Sequence, residues 1–224
     1  MDIQERPVVY SNVKTTFFGK VMFTFSLGIL VSALGTYLGM NYFNDFFFAT
    51  PALMWALFAV ELVLIFTSKA WSQKVPLNYF LFSLFTFITG VTIAPLISSV
   101  IIQMQSPELV IKALSVTGLM FTASGLVGWT TQRSLQGLGG FLLMALIGMI
   151  VVGVVGIFVP WSNNFEIGFS ALGVMLFSAY AMYDFRRIRE MSEDRYIEAA
   201  ISLYLDIFNL FIYVLRLLMA LRRD

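Results

Sequence analysis

Two aspartates stand where aspartates are costly. Asp184 closes the sixth of the chain's apolar stretches, in SAYAMYDFRRIRE, and Asp206 lies inside the seventh, in AAISLYLDIFNLFIYVLRLLMAL. An ionised side chain facing lipid costs several kcal/mol, so both are expected to look into protein or water. If the two stretches form a hairpin turning near Arg195, each aspartate is eleven residues from the turn, and the two sit level with each other. Two carboxylates within hydrogen-bonding distance in a low dielectric cannot both stay ionised cheaply, so such a pair is expected to share a proton and to respond to pH. It also offers hard oxygen ligands to a divalent cation, and Asn209, one turn further on, adds a carbonyl that suits calcium better than a soft metal. The plainer alternative is two separate acids, with Asp184 paired to Arg187 at the membrane interface.

The last stretch must position Asp206. Ser202, Asp206, Asn209, Tyr213 and Arg216 recur at spacings of four, three, four and three, which puts all five on one helical face. That stripe marks the helix as the centre of a bundle, unless the polar groups serve only as glue between helices. Glu61 is the single acid of the second apolar stretch and faces the same burial cost as Arg216, so an interhelical ion pair between Glu61 and Arg216 is expected, unless Glu61 stands as a third acid beside the aspartates.

The rest of the chain is membrane-like throughout. Of 224 residues, 59% are hydrophobic and 12% charged, too few charges to cover the surface of a soluble domain of this size. The net charge of +1 gives no basic face for nucleic acid. With neither cysteine nor histidine, disulfide frameworks, thiol nucleophiles, the usual zinc sites and imidazole catalysis are excluded. Seven spans are predicted in one domain, residues 1–224: Phe17 to Met40, Phe46 to Thr67, Leu77 to Ile102, Leu109 to Thr130, Leu138 to Val159, Phe165 to Met191 and Ile197 to Leu221. The short connections force neighbouring helices antiparallel. The excess of Lys and Arg at one set of ends predicts a cytoplasmic N-terminal segment, about residues 1–16, without a cleavable signal, and a C-terminus outside. Pro95, within the third span, is expected to kink its helix and free a carbonyl.

The motif AMYDFRRI followed by ISLYLDIFNLFIYVLRLL resembles the end of the Bax inhibitor (transmembrane Bax inhibitor motif) family, and TGVTIAPLISS followed by ALSVTGLMF resembles its middle signature. The short N-terminus and compact loops are similar to its bacterial members, which implies a bacterial plasma (inner) membrane. The resemblance implies an all-α membrane protein in which six helices surround the C-terminal one, and a pH-sensitive passive calcium leak governed by a paired-aspartate sensor at Asp184 and Asp206. Calcium would be the permeant ion, held only transiently by the pair, and no cofactor or enzymatic activity is implied; protons and the bilayer are the other expected partners. Some family members carry a basic latch near the cytoplasmic end of the second helix. Ser72 stands at that place here, so the latch falls to Lys69 or Lys74 or is absent.

Two other classes compete. An intramembrane aspartyl protease also pairs two acids on neighbouring helices, but Leu203, Tyr204 and Leu205 precede Asp206 where members of that family have glycines, and the only Pro-Ala-Leu run, Pro51 to Leu53, lies before the pair. A non-transporting membrane interaction protein would use the polar stripe for packing alone.

Overall fold

The computed structural model describes residues 10–43, 50–132 and 135–222, with the backbone alone for 10–15, 51 and 136. Most of the predicted N-terminal segment, the start of the predicted second span and Arg133 therefore lie outside the described residues. Among those residues the chain is helical, with no strand. The helices are α1 (Tyr10–Leu38), α2 (Pro51–Phe66), α3 (Leu77–Met104), α4 (Glu108–Thr130), α5 (Gln136–Phe158), α6 (Asn163–Ile188) and α7 (Tyr196–Arg222). A π-helical turn, Gly39–Phe43, extends α1, the one-turn helix Ser68–Trp71 follows α2, and a 3-10 turn, Glu193–Arg195, joins α6 to α7.

Six of these segments are long and apolar enough to cross a membrane, from 22 to 30 residues each. At ~1.5 Å per residue even the shortest is about 33 Å long, above the roughly 30 Å of a bilayer's hydrocarbon. The seventh, α2, has 16 helical residues, shorter than the span predicted from Phe46 to Thr67. Large apolar side chains such as Phe23, Phe66 and Phe158 lie on the outer surface, as they do where lipid replaces water. The protein is an integral membrane protein.

Without a hydrophobic drive between helices in lipid, close backbone approach holds such a bundle together. The α1–α3 crossing shows it: a Cβ on Gly35 would overlap the Phe87 carbonyl, and one on Gly90 the Ser32 carbonyl. Pro95 sits inside α3 as expected and cannot donate to the carbonyl of Val91, four residues back. Gly39, in the π turn after α1, lies against that carbonyl: a Cβ there would stand 3.1 Å from Val91 O. The carbonyl that Pro95 leaves free is thus covered by a residue without a side chain.

The α7 helix packs against α1, α3, α4 and α6, while α2 packs on α3 and α5 on α6. The core follows the same pattern: Leu203, Tyr204, Leu210 and Leu215 of α7 and Phe82, Phe85 and Val100 of α3 are fully buried, whereas α5 is mostly exposed along its length.

Candidate functional site

The α6–α7 hairpin brings the two aspartates together. Asp184 lies one turn before the end of α6 and Asp206 ten residues into α7. Both are enclosed, at 7% and 4% exposure. Asp206 lies beside Asp184, and Ser202, one turn before Asp206, is also a neighbour of Asp184. Arg187 Nη1 stands 3.6 Å from Asp184 Oδ1 and is itself half exposed. Asp184 thus has Asp206 on one side and Arg187 on the other.

Asp206 Oδ2 is buried and has no hydrogen-bond donor. With both acids ionised it would be an unsatisfied anion oxygen facing a like charge, a costly arrangement away from water. One proton on either carboxyl turns the contact into a hydrogen bond.

The remainder of the α7 stripe divides. Tyr213 stacks on Phe177 with ring centroids 5.6 Å apart and covers Gly173, where any Cβ would strike its ring. Asn209 turns its amide nitrogen back to the Leu205 carbonyl at 2.8 Å, so that group serves its own helix. Among the described residues no group of three or more acids, histidines or cysteines could hold a metal ion, and the pair offers calcium two carboxyls.

The Glu61–Arg216 pair is not formed. Glu61 accepts a hydrogen bond from Thr92 Oγ1 at 2.8 Å, and no ion pair joins it to Arg216. The physical reason is placement: α2 packs on α3, and a hydroxyl of α3 reaches the acid. Thr92 belongs to a ladder of buried hydroxyls on α3, Thr86, Thr89 and Thr92. Thr89 bonds Tyr204, whose hydroxyl also donates to Ser32 Oγ at 2.9 Å. Sequence inspection passed over this ladder because threonine and tyrosine are ordinary in spans; its only signal is the three-residue spacing of the threonines.

The residues of the expected latch also separate. Lys69 and Lys74 are exposed and make no ion pair among the described residues. Ser72 is fully buried and donates to Glu198 Oε1 at 3.2 Å, while Arg195 holds the other oxygen, Oε2. Beside it Gln73 Nε2 donates to Asp194 Oδ2 at 2.8 Å, and Asn78 donates to both Tyr196 Oη and the Ser72 carbonyl. The α2–α3 connection is thus clasped to the α6–α7 turn through neutral donors and acids, with no lysine involved.

Fold and site together define a polytopic helical membrane protein with an enclosed acid pair between its last two long helices. The sequence pattern described as Inhibitor of apoptosis-promoting Bax1 matches residues 14–223, and the chain belongs to that Bax inhibitor family. It is 30% identical to the Golgi anti-apoptotic protein of Vaccinia virus (strain Lister), over 92% of this chain and 86% of that one. It is 29% identical to the inner membrane protein YbhL of Escherichia coli (strain K12), over 90% of each chain. A protein of Campylobacter jejuni is 30% identical over 87% of this chain and 84% of its own.

Proposed function

We propose that this protein is a pH-sensitive, passive calcium leak, with Asp184 and Asp206 as the proton-sharing gate. The observation that carries the reading is Asp206 Oδ2, enclosed between helices, beside a second acid and without a donor. Such an oxygen favours either a proton or a cation. With one shared proton the pair is a hydrogen bond that ties α6 to α7. Without it, two like charges repel and offer calcium two hard ligands; with two protons the attraction for calcium is gone. The singly protonated pair therefore separates two regimes of flux, and no histidine exists to compete as the sensor.

In this reading the chain crosses seven times, with α2 as the seventh crossing, and the other helices gather about α7. The N-terminus is cytoplasmic and the C-terminus outside, because Lys20, Lys69, Lys74, Arg186, Arg187, Arg189 and Arg195 then share the cytoplasmic side. YbhL supports a bacterial inner membrane. The protein needs no cofactor and carries out no covalent chemistry; calcium, protons and lipid are what it meets.

The test is calcium flux into proteoliposomes across about pH 5 to 8. Asp184→Asn and Asp206→Asn are each expected to abolish the pH dependence, with the double variant adding little, because a proton-sharing pair acts as a unit. Wild-type pH profiles in both single variants would remove the gate and the reading with it.

A further inference from the structure

Glu61 takes no part in the proposed gate, yet it lies deep in the bundle. It is half-buried on the face of α2 that meets α3: Leu57 and Leu64, one turn to either side, join the core, whereas Phe58, Leu62 and Phe66 are exposed. Its contact, Thr92, stands fifteen residues into α3, about 23 Å along a helix of about 42 Å. No cation answers the acid there. The α3 helix carries no Asp, Glu, Lys or Arg, and its one titratable side chain, Tyr79, is thirteen residues before Thr92, about 20 Å away along the helix. From α7, Tyr204 is a neighbour of Glu61, and its hydroxyl is taken up by Ser32 and Thr89. Lys69, in the one-turn helix after α2, is eight residues further on and exposed. Among the described residues no ion pair reaches Glu61.

The hydrogen count at Thr92 separates the two forms of the acid. Thr92 Oγ1 is 2.8 Å from Glu61 Oε1 and 3.1 Å from the Thr89 carbonyl, but a hydroxyl has one proton to give. Thr86 and Thr89, earlier on the same ladder, each turn theirs to the carbonyl three residues back, at 3.2 and 2.9 Å. With Glu61 ionised, Thr92 donates to the acid, its approach to the Thr89 carbonyl is no longer a hydrogen bond, and one neutral hydroxyl faces a whole charge. With Glu61 protonated, the acid donates to Thr92 Oγ1 and Thr92 donates to the carbonyl. Both contacts are then hydrogen bonds at once. A carboxylate enclosed in a bilayer without a cation is costly, and a carboxylic acid bonded to a hydroxyl avoids that cost.

We infer that Glu61 is a second proton-binding site, occupied at neutral pH, whose proton fastens α2 to α3 through Thr92. The site offers one carboxyl and one hydroxyl, too few oxygens for calcium, and no group of three or more acids stands at it among the described residues. It stands whether or not the acid pair gates calcium, and it is therefore tested with both aspartates replaced.

The experiment uses the full-length protein carrying Asp184→Asn and Asp206→Asn, in phosphatidylcholine nanodiscs, and reads the infrared C=O stretch of protonated carboxyl groups. At neutral pH a carboxyl band should be present, and adding Glu61→Gln should remove it. Thr92→Val should keep the band and move it to higher frequency, since the carboxyl loses its hydrogen bond, and Thr92→Ser should return it. Thermal unfolding gives a second readout. The parent should lose stability relative to its Glu61→Gln version as pH rises above about 4.3, the ordinary glutamate value, because the folded form keeps a proton that the unfolded chain releases. Absence of any carboxyl band that depends on Glu61 would make it an ion at neutral pH and overturn the inference. Loss of the band on adding calcium chloride at fixed pH would make it a cation ligand and overturn it equally.

Discussion

Gly90→Ala isolates the close approach on which the α1–α3 crossing depends. In a helix, alanine is favoured over glycine by about 0.8–1.0 kcal/mol, so the substitution would stabilise an unobstructed site. Position 90 is obstructed by the carbonyl of Ser32, which belongs to a helix and cannot swing aside as a side chain can. Overpacking a well-fitted site costs about 1–3 kcal/mol, and a backbone obstacle belongs at the upper end. The net expectation is a loss of about 2 kcal/mol, or roughly 4–8 °C in the unfolding midpoint for a chain of this size. Gly118→Ala is the matched control, because its added methyl meets nothing within 4 Å. It should be neutral or stabilising by up to about 1 kcal/mol. Thermal unfolding in one detergent, followed by the fluorescence of the four tryptophans, measures both. If Gly90→Ala unfolds at or above the Gly118→Ala temperature, backbone contact at this crossing is not what sets the distance between α1 and α3. Since the obstructing carbonyl belongs to Ser32, the same shift should also part Ser32 from Tyr204.

Thr92→Val removes the hydroxyl that donates to Glu61 and should cost about 1–3 kcal/mol in the same unfolding assay; wild-type stability would show that Glu61 is satisfied elsewhere. Glu61→Gln and Arg216→Gln should be additive to within about 0.5 kcal/mol, and a coupling above about 1 kcal/mol in their double-mutant cycle would restore the ion pair that the structure lacks. For the proposed leak, Ser72→Ala and Glu198→Gln should raise resting calcium flux while Lys69→Gln with Lys74→Gln leaves it unchanged, and the opposite pattern would return the cytoplasmic closure to the lysines.

What could be read from the sequence was whatever rested on periodicity and length. The meeting of Asp184 and Asp206 followed from their equal distance from one turn, which is a one-dimensional quantity. The facing of Ser202, Asp206 and Tyr213 toward α6 followed from helical spacing. Glu61 resisted the same treatment, because its partner depends on which helix lies beside α2, and depth counting says nothing about lateral neighbours. The acid's neighbour is instead a threonine hydroxyl, which leaves no charge signature in the sequence. Ser72 illustrates a similar limit: a missing base pointed to nearby lysines, yet solvent holds lysines outward, and the contact was made by the buried small hydroxyl instead.

The position of Tyr204 two residues before Asp206 sets how α7 can respond to a change at the acid pair. Two residues advance about 200° around a helix, so the two side chains leave α7 on nearly opposite faces. Asp206 is held by α6 and Tyr204 by Ser32 of α1 and Thr89 of α3. In the proposed leak the first attachment depends on a shared proton, and the second consists of neutral hydroxyls that do not titrate in the physiological range. Loss of the shared proton therefore loosens α7 from α6 while leaving it fastened to α1 and α3. In the proposed leak the moving element is then α6, together with α5, which packs on α6, against a fixed group of α1, α3 and α7. Spin labels on the outer surfaces of α6 and α1 provide the check: their separation should change with pH in the wild-type protein and stay constant in Asp206→Asn. A pH-dependent change between α1 and α7 of equal size would instead place the hinge on the Tyr204 side and refute this division of the bundle.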